Sequence, residues 1–166
     1  MSQIGVIMGS DSDFKVMEDA LKVLSQFEVD FEVKISSAHR SLERTVEWVK
    51  KFEAQGGKLI IAAAGLAAHL PGVIAGATVL PVIGVPLSSG ALEGIDALYS
   101  IVQMPPGIPV ATVGIGAAKN AALLAVQILA LENEMVSLKV KNYREHMLHE
   151  VEAKDEALQN RLSKGI

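Results

Sequence analysis

Residues 3–13, Gln-Ile-Gly-Val-Ile-Met-Gly-Ser-Asp-Ser-Asp, pass from an apolar run through Gly9 into a cluster of small polar side chains. Directly after them Phe14, Met17, Ala20, Leu21 and Leu24 recur at helical spacing, so the segment reads as a strand over 3–8, a loop, and a helix over 13–27. The same unit then repeats. A strand over 31–35 is followed by the loop Ser36-Ser37-Ala38-His39-Arg40-Ser41 and an amphipathic helix over 42–54. A strand over 58–64 leads through a glycine turn to a helical segment over 67–77, and a strand over 81–85 leads to a helix over 91–102. The last strand, 109–113, enters a long apolar helix over 120–131. Near-continuous apolar strands that alternate with helices need cover on both faces. The expected fold is an α/β three-layer sandwich of flavodoxin or Rossmann type, with a central parallel sheet and right-handed crossovers.

The chain of 166 residues is sized for one full hydrophobic core, and we place a catalytic domain over 1–131. From Glu132 onward the character changes: six basic and seven acidic residues accompany a broken apolar stripe of Val136, Val140, Tyr143, Met147, Val151, Leu158 and Leu162. Residues 132–166 are expected to form one long helical extension. Its stripe has two destinations that the sequence leaves open, a neighbouring subunit, which is the expectation taken here, or the chain's own sheet. Between Ala54 and Ala117 the only charged residues are Lys58, Glu93 and Asp96, so self-association is expected.

Charge and composition exclude several classes of function. A net charge of −4, with no basic patch interleaved with aromatics, leaves no electrostatic footprint for nucleic acid. The chain has no cysteine, hence no disulfide framework, no zinc ribbon and no thiol nucleophile. Residues 59–85 are long enough to span a bilayer, but His69, Pro71, Pro81 and four glycines interrupt them, so no membrane partner is expected. With no basic, cleavable apolar leader at the N-terminus, the protein is expected to be cytoplasmic.

In an open parallel sheet ligands collect at the carboxyl ends of the strands. Here those ends carry four loops: residues 9–13, 36–40, 63–72 and 85–90. In the first, Ser10 and the helix start suit an anion such as phosphate, although Ser and Asp are equally common helix caps. Two aspartates sit badly beside a phosphate, so Asp13 is better matched to a ligand hydroxyl. In the second, Arg40 supplies a fork for phosphate, and His39 supplies an imidazole, a group able both to accept and to donate a proton without great cost. Ser37 and Ala38 are small enough for a ligand to approach the backbone. The third loop offers small residues and His69. Residues 114–119, Gly-Ile-Gly-Ala-Ala-Lys, open like a dinucleotide loop but lack its third glycine and follow the last strand, so they are read as helix-entry packing. His146 and His149 lie one turn apart on a charged helix and are read as solvated; no metal site is expected.

Taken in order, Gly-Ser-Asp-Ser-Asp (9–13), Ser-Ala-His-Arg (37–40), Ala-Ala-His-Leu-Pro-Gly (67–72), Gly-Val-Pro (84–86) and Ser-Ile-Val-Gln-Met-Pro-Pro-Gly-Ile-Pro-Val-Ala-Thr (100–112) resemble the PurE family of purine biosynthesis in its class I form. The resemblance covers residues 3–131. It implies conversion of N5-carboxyaminoimidazole ribonucleotide to 4-carboxy-5-aminoimidazole ribonucleotide, without metal or organic cofactor, in a homo-octamer with sites at subunit junctions. By motif, Ser10, Ser37 and Arg40 would hold the phosphate, Asp13 the ribose, and His39 would be general acid and base. Ala38, Gly65, Ala68, His69 and Leu70 would line the base and carboxyl pocket, and residues 88–92 would close it. Two positions depart from the family pattern: Ser41-Leu42 replaces Thr-Pro, and Gly65-Leu66 replaces Gly-Gly. The alternatives are a class II carboxylase acting directly with carbon dioxide, and a nonenzymatic nucleotide-binding or receiver-like protein. A receiver needs an aspartate where the third strand here ends in Ala63, Ala64 and Gly65.

Overall fold

The computed structural model describes residues 2–163 and Gly165. Five strands, β1 (Ile4–Met8), β2 (Phe31–Ile35), β3 (Leu59–Gly65), β4 (Val82–Leu87) and β5 (Ala111–Thr112), form one sheet in the order β2-β1-β3-β4-β5. Every pairing is parallel, with Ile4 opposite both Phe31 and Leu59, and Ile60 opposite Val82. The helices are α1 (Phe14–Gln26), α2 (Leu42–Ala54), α3 (Leu70–Ala75), α4 (Ile95–Val102), α5 (Ala118–Leu129) and α6 (Glu134–Ser163). The expected α/β sandwich with a parallel sheet and a long C-terminal helix is what forms.

Both faces of the sheet are covered, which is why β1, β3 and β4 are buried almost throughout. On one face Ile7, Ile60, Ala62 and Ala64 join Val49 and Phe52 of α2, Leu70 and Ile74 of α3, and Ile101 of α4 in one apolar cluster. Trp48 stacks on Phe52 there, with ring centroids 5.5 Å apart and planes 13° from parallel. The opposite face carries the alternate β1 residues Ile4, Val6 and Met8, all without exposure. Outside that cluster α1 buries Met17, Ala20, Val23 and Leu24, and α5 buries Ala118, Ala121, Ala122, Ala125 and Val126.

Several helices start later than their apolar periodicity suggests, each for a local reason. Residues 11–13 form a separate 3-10 turn before α1. The segment after β3 does not turn helical at residue 67, because Leu66 adopts a left-handed φ of 53°; α3 begins at Leu70 with Pro71 in its first turn, where a missing N–H costs nothing. Gly94, at φ 94°, stops the chain from entering α4 before Ile95. The last strand shrinks from the expected five residues to two: Pro109 has no amide to give a ladder at its start, while at its other end the Val113 amide still reaches the Gly84 carbonyl at 3.1 Å.

The chain separates into two compact units, one ending at Val126 and the other beginning at Gln127. The second contains α6, a helix of 30 residues whose only buried residue is Val136. On it His146 pairs with Glu150 at 3.2 Å and His149 with Glu152 at 3.0 Å, all solvent-exposed. Among the described residues no group of three His, Cys, Asp or Glu side chains could hold a metal ion, and no helix is long and apolar enough to cross a membrane.

Candidate active site

The order β2-β1-β3 sends the chain to one side of β1 and then back across it, so the loops leaving β1, β2 and β3 part above the sheet and leave a crevice. A cavity of about 610 Å3 occupies it. Its wall draws on all four strand ends: Gly9, Ser10, Ser12 and Asp13 after β1, Ser37 to Arg40 after β2, Ala64, Gly65, Leu66, Ala68 and Leu70 at and after the end of β3, and Ser89 and Gly90 after β4.

The loop after β1 satisfies itself. Ser10 caps the 3-10 turn, with its hydroxyl accepting from the Ser12 amide at 3.3 Å and donating to the Asp11 carboxylate at 3.0 Å. Asp13 reciprocates by accepting from the Ser10 amide at 3.0 Å through Oδ2. The amides expected to face an anion are therefore largely engaged within the loop, and Ser12, passed over in the sequence, shares the cavity wall with Ser10. Burial pushes the Asp13 carboxyl above its ordinary 3.8, against hydrogen bonds from the Ser10 backbone, the Ser12 side chain and the Gly9 backbone, with nearby Asp11 adding to the rise.

The turn after β2 is held from beneath. Ser36 continues the sheet by donating its amide to the Met8 carbonyl at 2.9 Å. Its buried hydroxyl lies 2.9 Å from Thr45 Oγ1 and 3.3 Å from Ser41 Oγ. Thr45 Oγ1 donates to the Ser41 carbonyl, and Ser41 Oγ donates to the Ser37 carbonyl. Because both neighbours have committed their protons, Ser36 is the donor to Thr45. The Ser37 carbonyl also accepts from the amides of Arg40 and Ser41. This closes the turn tightly and leaves the side chains of His39 and Arg40 exposed at the cavity, without a hydrogen-bond or ion-pair partner among the described residues.

The opposite wall is small and apolar: Ala64, Gly65, Leu66, Ala68 and Leu70. His69 differs from the expectation. Its ring packs against Gly72, and Nδ1 bonds the Ser100 carbonyl of α4, outside the residues lining the cavity. A carbonyl can only accept, so Nδ1 carries the proton. Its ring thus ties the β3–α3 loop to α4. The other expected residues, Ser10, Asp13, Ser37, Ala38, His39, Arg40, Gly65, Ala68 and Leu70, share the one cavity. The loops after β1 and β2 bring hydroxyls, a guanidinium and an imidazole to it, and the end of β3 brings small apolar groups. Such a cavity suits a phosphorylated ligand with a flat apolar moiety.

A family model described as AIR carboxylase matches residues 3–150. An N5-carboxyaminoimidazole ribonucleotide mutase of Pyrococcus abyssi is 60% identical over 147 residues, covering 89% of this chain and 84% of that protein. One from Thermotoga maritima is 51% identical over 159 residues, covering 96% of this chain and 93% of that protein. A crystal structure of Treponema denticola PurE superposes with a TM-score of 0.87 at 34% identity, over 93% of this chain and 97% of that one. Matched across most of its length in sequence and in fold, the chain belongs to the AIR carboxylase family.

Proposed function

We propose that this protein is an N5-carboxyaminoimidazole ribonucleotide mutase, an isomerase that moves a carboxyl group from an exocyclic nitrogen to ring carbon 4 of an aminoimidazole ribonucleotide. The observation that carries the reading is the joining of Ser37, His39 and Arg40 on one braced turn to an apolar wall of Gly65, Ala68 and Leu70 within a single cavity. Arg40 is the fork for the phosphate, with the hydroxyls of Ser37 and Ser10 beside it. Asp13, which lines the cavity and accepts from the Ser10 amide through Oδ2 and from the Ser12 hydroxyl at 3.5 Å through Oδ1, is the acceptor for a ribose hydroxyl. The names carried by the relatives point to the same chemistry.

In this mechanism His39, protonated, gives its proton to the exocyclic nitrogen as the N-carboxylate leaves as carbon dioxide. The small apolar wall keeps that molecule beside the ring, where proximity favours recapture over escape. Carbon 4 attacks it, forming the new carbon–carbon bond, and the imidazole removes the hydrogen left on carbon 4. The histidine ends protonated, as it began, and no electrons are exchanged with an outside reagent.

The proposal includes a cytoplasmic enzyme working as a homo-octamer on a small ribonucleotide. Support for assembly lies in the apolar residues left exposed on β2, α4 and α6, among them Val33, Ile35, Ile95, Tyr99, Leu148 and Val151. Light scattering reads the assembly. The activity is tested by supplying N5-carboxyaminoimidazole ribonucleotide and, separately, aminoimidazole ribonucleotide with carbon dioxide, and following the carbon-carboxylated product above the spontaneous rate. Acceleration from the first substrate supports the mutase; acceleration only from the second replaces it with a carboxylase. His39→Asn should abolish turnover while ribonucleotide binding and assembly persist, and normal turnover by that variant would refute the assignment.

A further inference from the structure

Of the residues that β3, β4 and the loops after them bring to the cavity, one carries a side-chain hydroxyl, Ser89 of the loop after β4. Its Oγ accepts a hydrogen bond from the Leu66 amide at 3.0 Å. It makes no other hydrogen bond among the described residues, so one lone pair is used and the O–H is uncommitted. Three features fix that oxygen in place. Leu66 is held in the left-handed region at φ 53°, a conformation that disfavours a branched side chain and that aims its amide across the gap between two loops. Gly65 leaves room: a Cβ on it would stand 2.6 Å from Ser89 Oγ. Gly90 likewise leaves room for the Leu66 side chain, which a Cβ there would meet at 2.8 Å.

We infer that Ser89 is a substrate-binding residue whose hydroxyl donates to the migrating carboxylate. The inference rests on the mutase reading. With the phosphate anchored by Arg40 and Ser37, the base lies along Gly65, Leu66, Ala68 and Leu70, and its carboxylate enters an otherwise apolar wall. A carboxylate there loses water and needs a donor in return. Ser89 is the side chain on that wall able to provide one, and an amide already occupying its acceptor side turns its proton toward the cavity. The hydroxyl holds the carboxyl group in N-linked substrate and C-linked product alike, fixing its rotation about the bond to be broken or formed.

The experiment compares wild type with Ser89→Ala, measuring turnover of N5-carboxyaminoimidazole ribonucleotide and equilibrium binding of two probes: the C-carboxylated product ribonucleotide and aminoimidazole ribonucleotide, which lacks the carboxyl group. A hydrogen bond to a charged group predicts that the variant binds the carboxylated probe about 10- to 100-fold more weakly and the decarboxylated one within about 2-fold of wild type. A raised KM should accompany the first loss. Equal weakening of both probes would assign Ser89 a purely structural role and overturn the inference, as would no weakening of either. A thermal melt guards against misfolding: Leu66→Ala removes wall but keeps the amide donor, and it should retain the discrimination between the probes that Ser89→Ala loses. Absence of turnover in wild type itself would instead bring down the mutase reading, leaving the two failures distinguishable.

Discussion

The braced turn after β2 makes a quantitative prediction. Thr45 is fully buried, and Thr45→Val keeps its volume, so no cavity term enters. What changes is a chain of donors. Ser36 Oγ, 2% exposed as a residue, loses its acceptor at 2.9 Å and keeps only Ser41 Oγ at 3.3 Å. The Ser41 carbonyl loses the Thr45 hydroxyl but retains the Thr45 amide at 3.1 Å. One poorly satisfied buried hydroxyl is worth about 1–3 kcal/mol, so a cost of about 2 kcal/mol and a Tm lowered by about 4–8 °C are expected at fixed protomer concentration. Ser36→Ala removes the donor that needs a partner and leaves Thr45 still donating to Ser41, so its cost should stay below about 1 kcal/mol. In the double variant Ser36→Ala/Thr45→Val no orphan remains, and the two costs should fall short of additivity by about 1 kcal/mol or more. Urea unfolding of the four proteins measures this coupling. Strict additivity, or a Thr45→Val protein within about 0.5 kcal/mol of wild type, would show that the hydroxyl chain does not hold the turn. Because the turn carries Ser37, His39 and Arg40, Thr45→Val should also lower kcat/KM, and Thr45→Ser should restore both stability and rate.

Asp13 gives a pH test with a defined sign. Its folded-state pKa is raised, chiefly by burial, so ionisation opposes folding at pH values above the folded pKa, and that opposition fades as pH falls toward the ordinary 3.8. Asp13→Asn keeps an oxygen for the Ser10 amide; its stability relative to wild type should be more favourable at pH 7 than at pH 4, as measured by urea unfolding, and the reverse trend would contradict the burial argument. His69→Phe removes the bond to the Ser100 carbonyl and should lower stability by about 1 kcal/mol while weakening binding of the product ribonucleotide far less than Arg40→Ala does; comparable losses of affinity would return His69 to the binding site.

The legible part of this fold was its periodicity. Strands such as residues 59–65, apolar at every position, leave no polar face and so announce a covered parallel sheet, and the carboxyl-end rule then gathers the four loops without any coordinate. His39 and Arg40 were identifiable because chemistry-bearing side chains stood alone among small neighbours. The parts that escaped depend on contacts distant in sequence. Nothing in residues 67–72 reveals that the His69 ring turns to a carbonyl 31 residues away, and nothing in residues 36–45 says that three hydroxyls share their protons in one direction. Ser12 and Ser89 both lie within loops already singled out, but the bond of Ser89 to an amide 23 residues earlier was not legible in either segment.

The two departures from the family pattern have physical accounts at the same site. A proline after the His-Arg pair would restrict the chain at the start of α2 through its ring; here Leu42 is exposed and the preceding Ser41 ties the turn by donating 2.9 Å to the Ser37 carbonyl. At residue 66 a glycine would accept the left-handed φ freely, whereas leucine pays about 1 kcal/mol for it. The Ser89 bond and the contact above Gly90 offset that strain, and both arise on the loop that closes the apolar wall. At both places a cavity loop is tied by a hydroxyl, Ser41 to the Ser37 carbonyl and Ser89 to the Leu66 amide, so the loss of either oxygen is felt at the cavity through the backbone it holds.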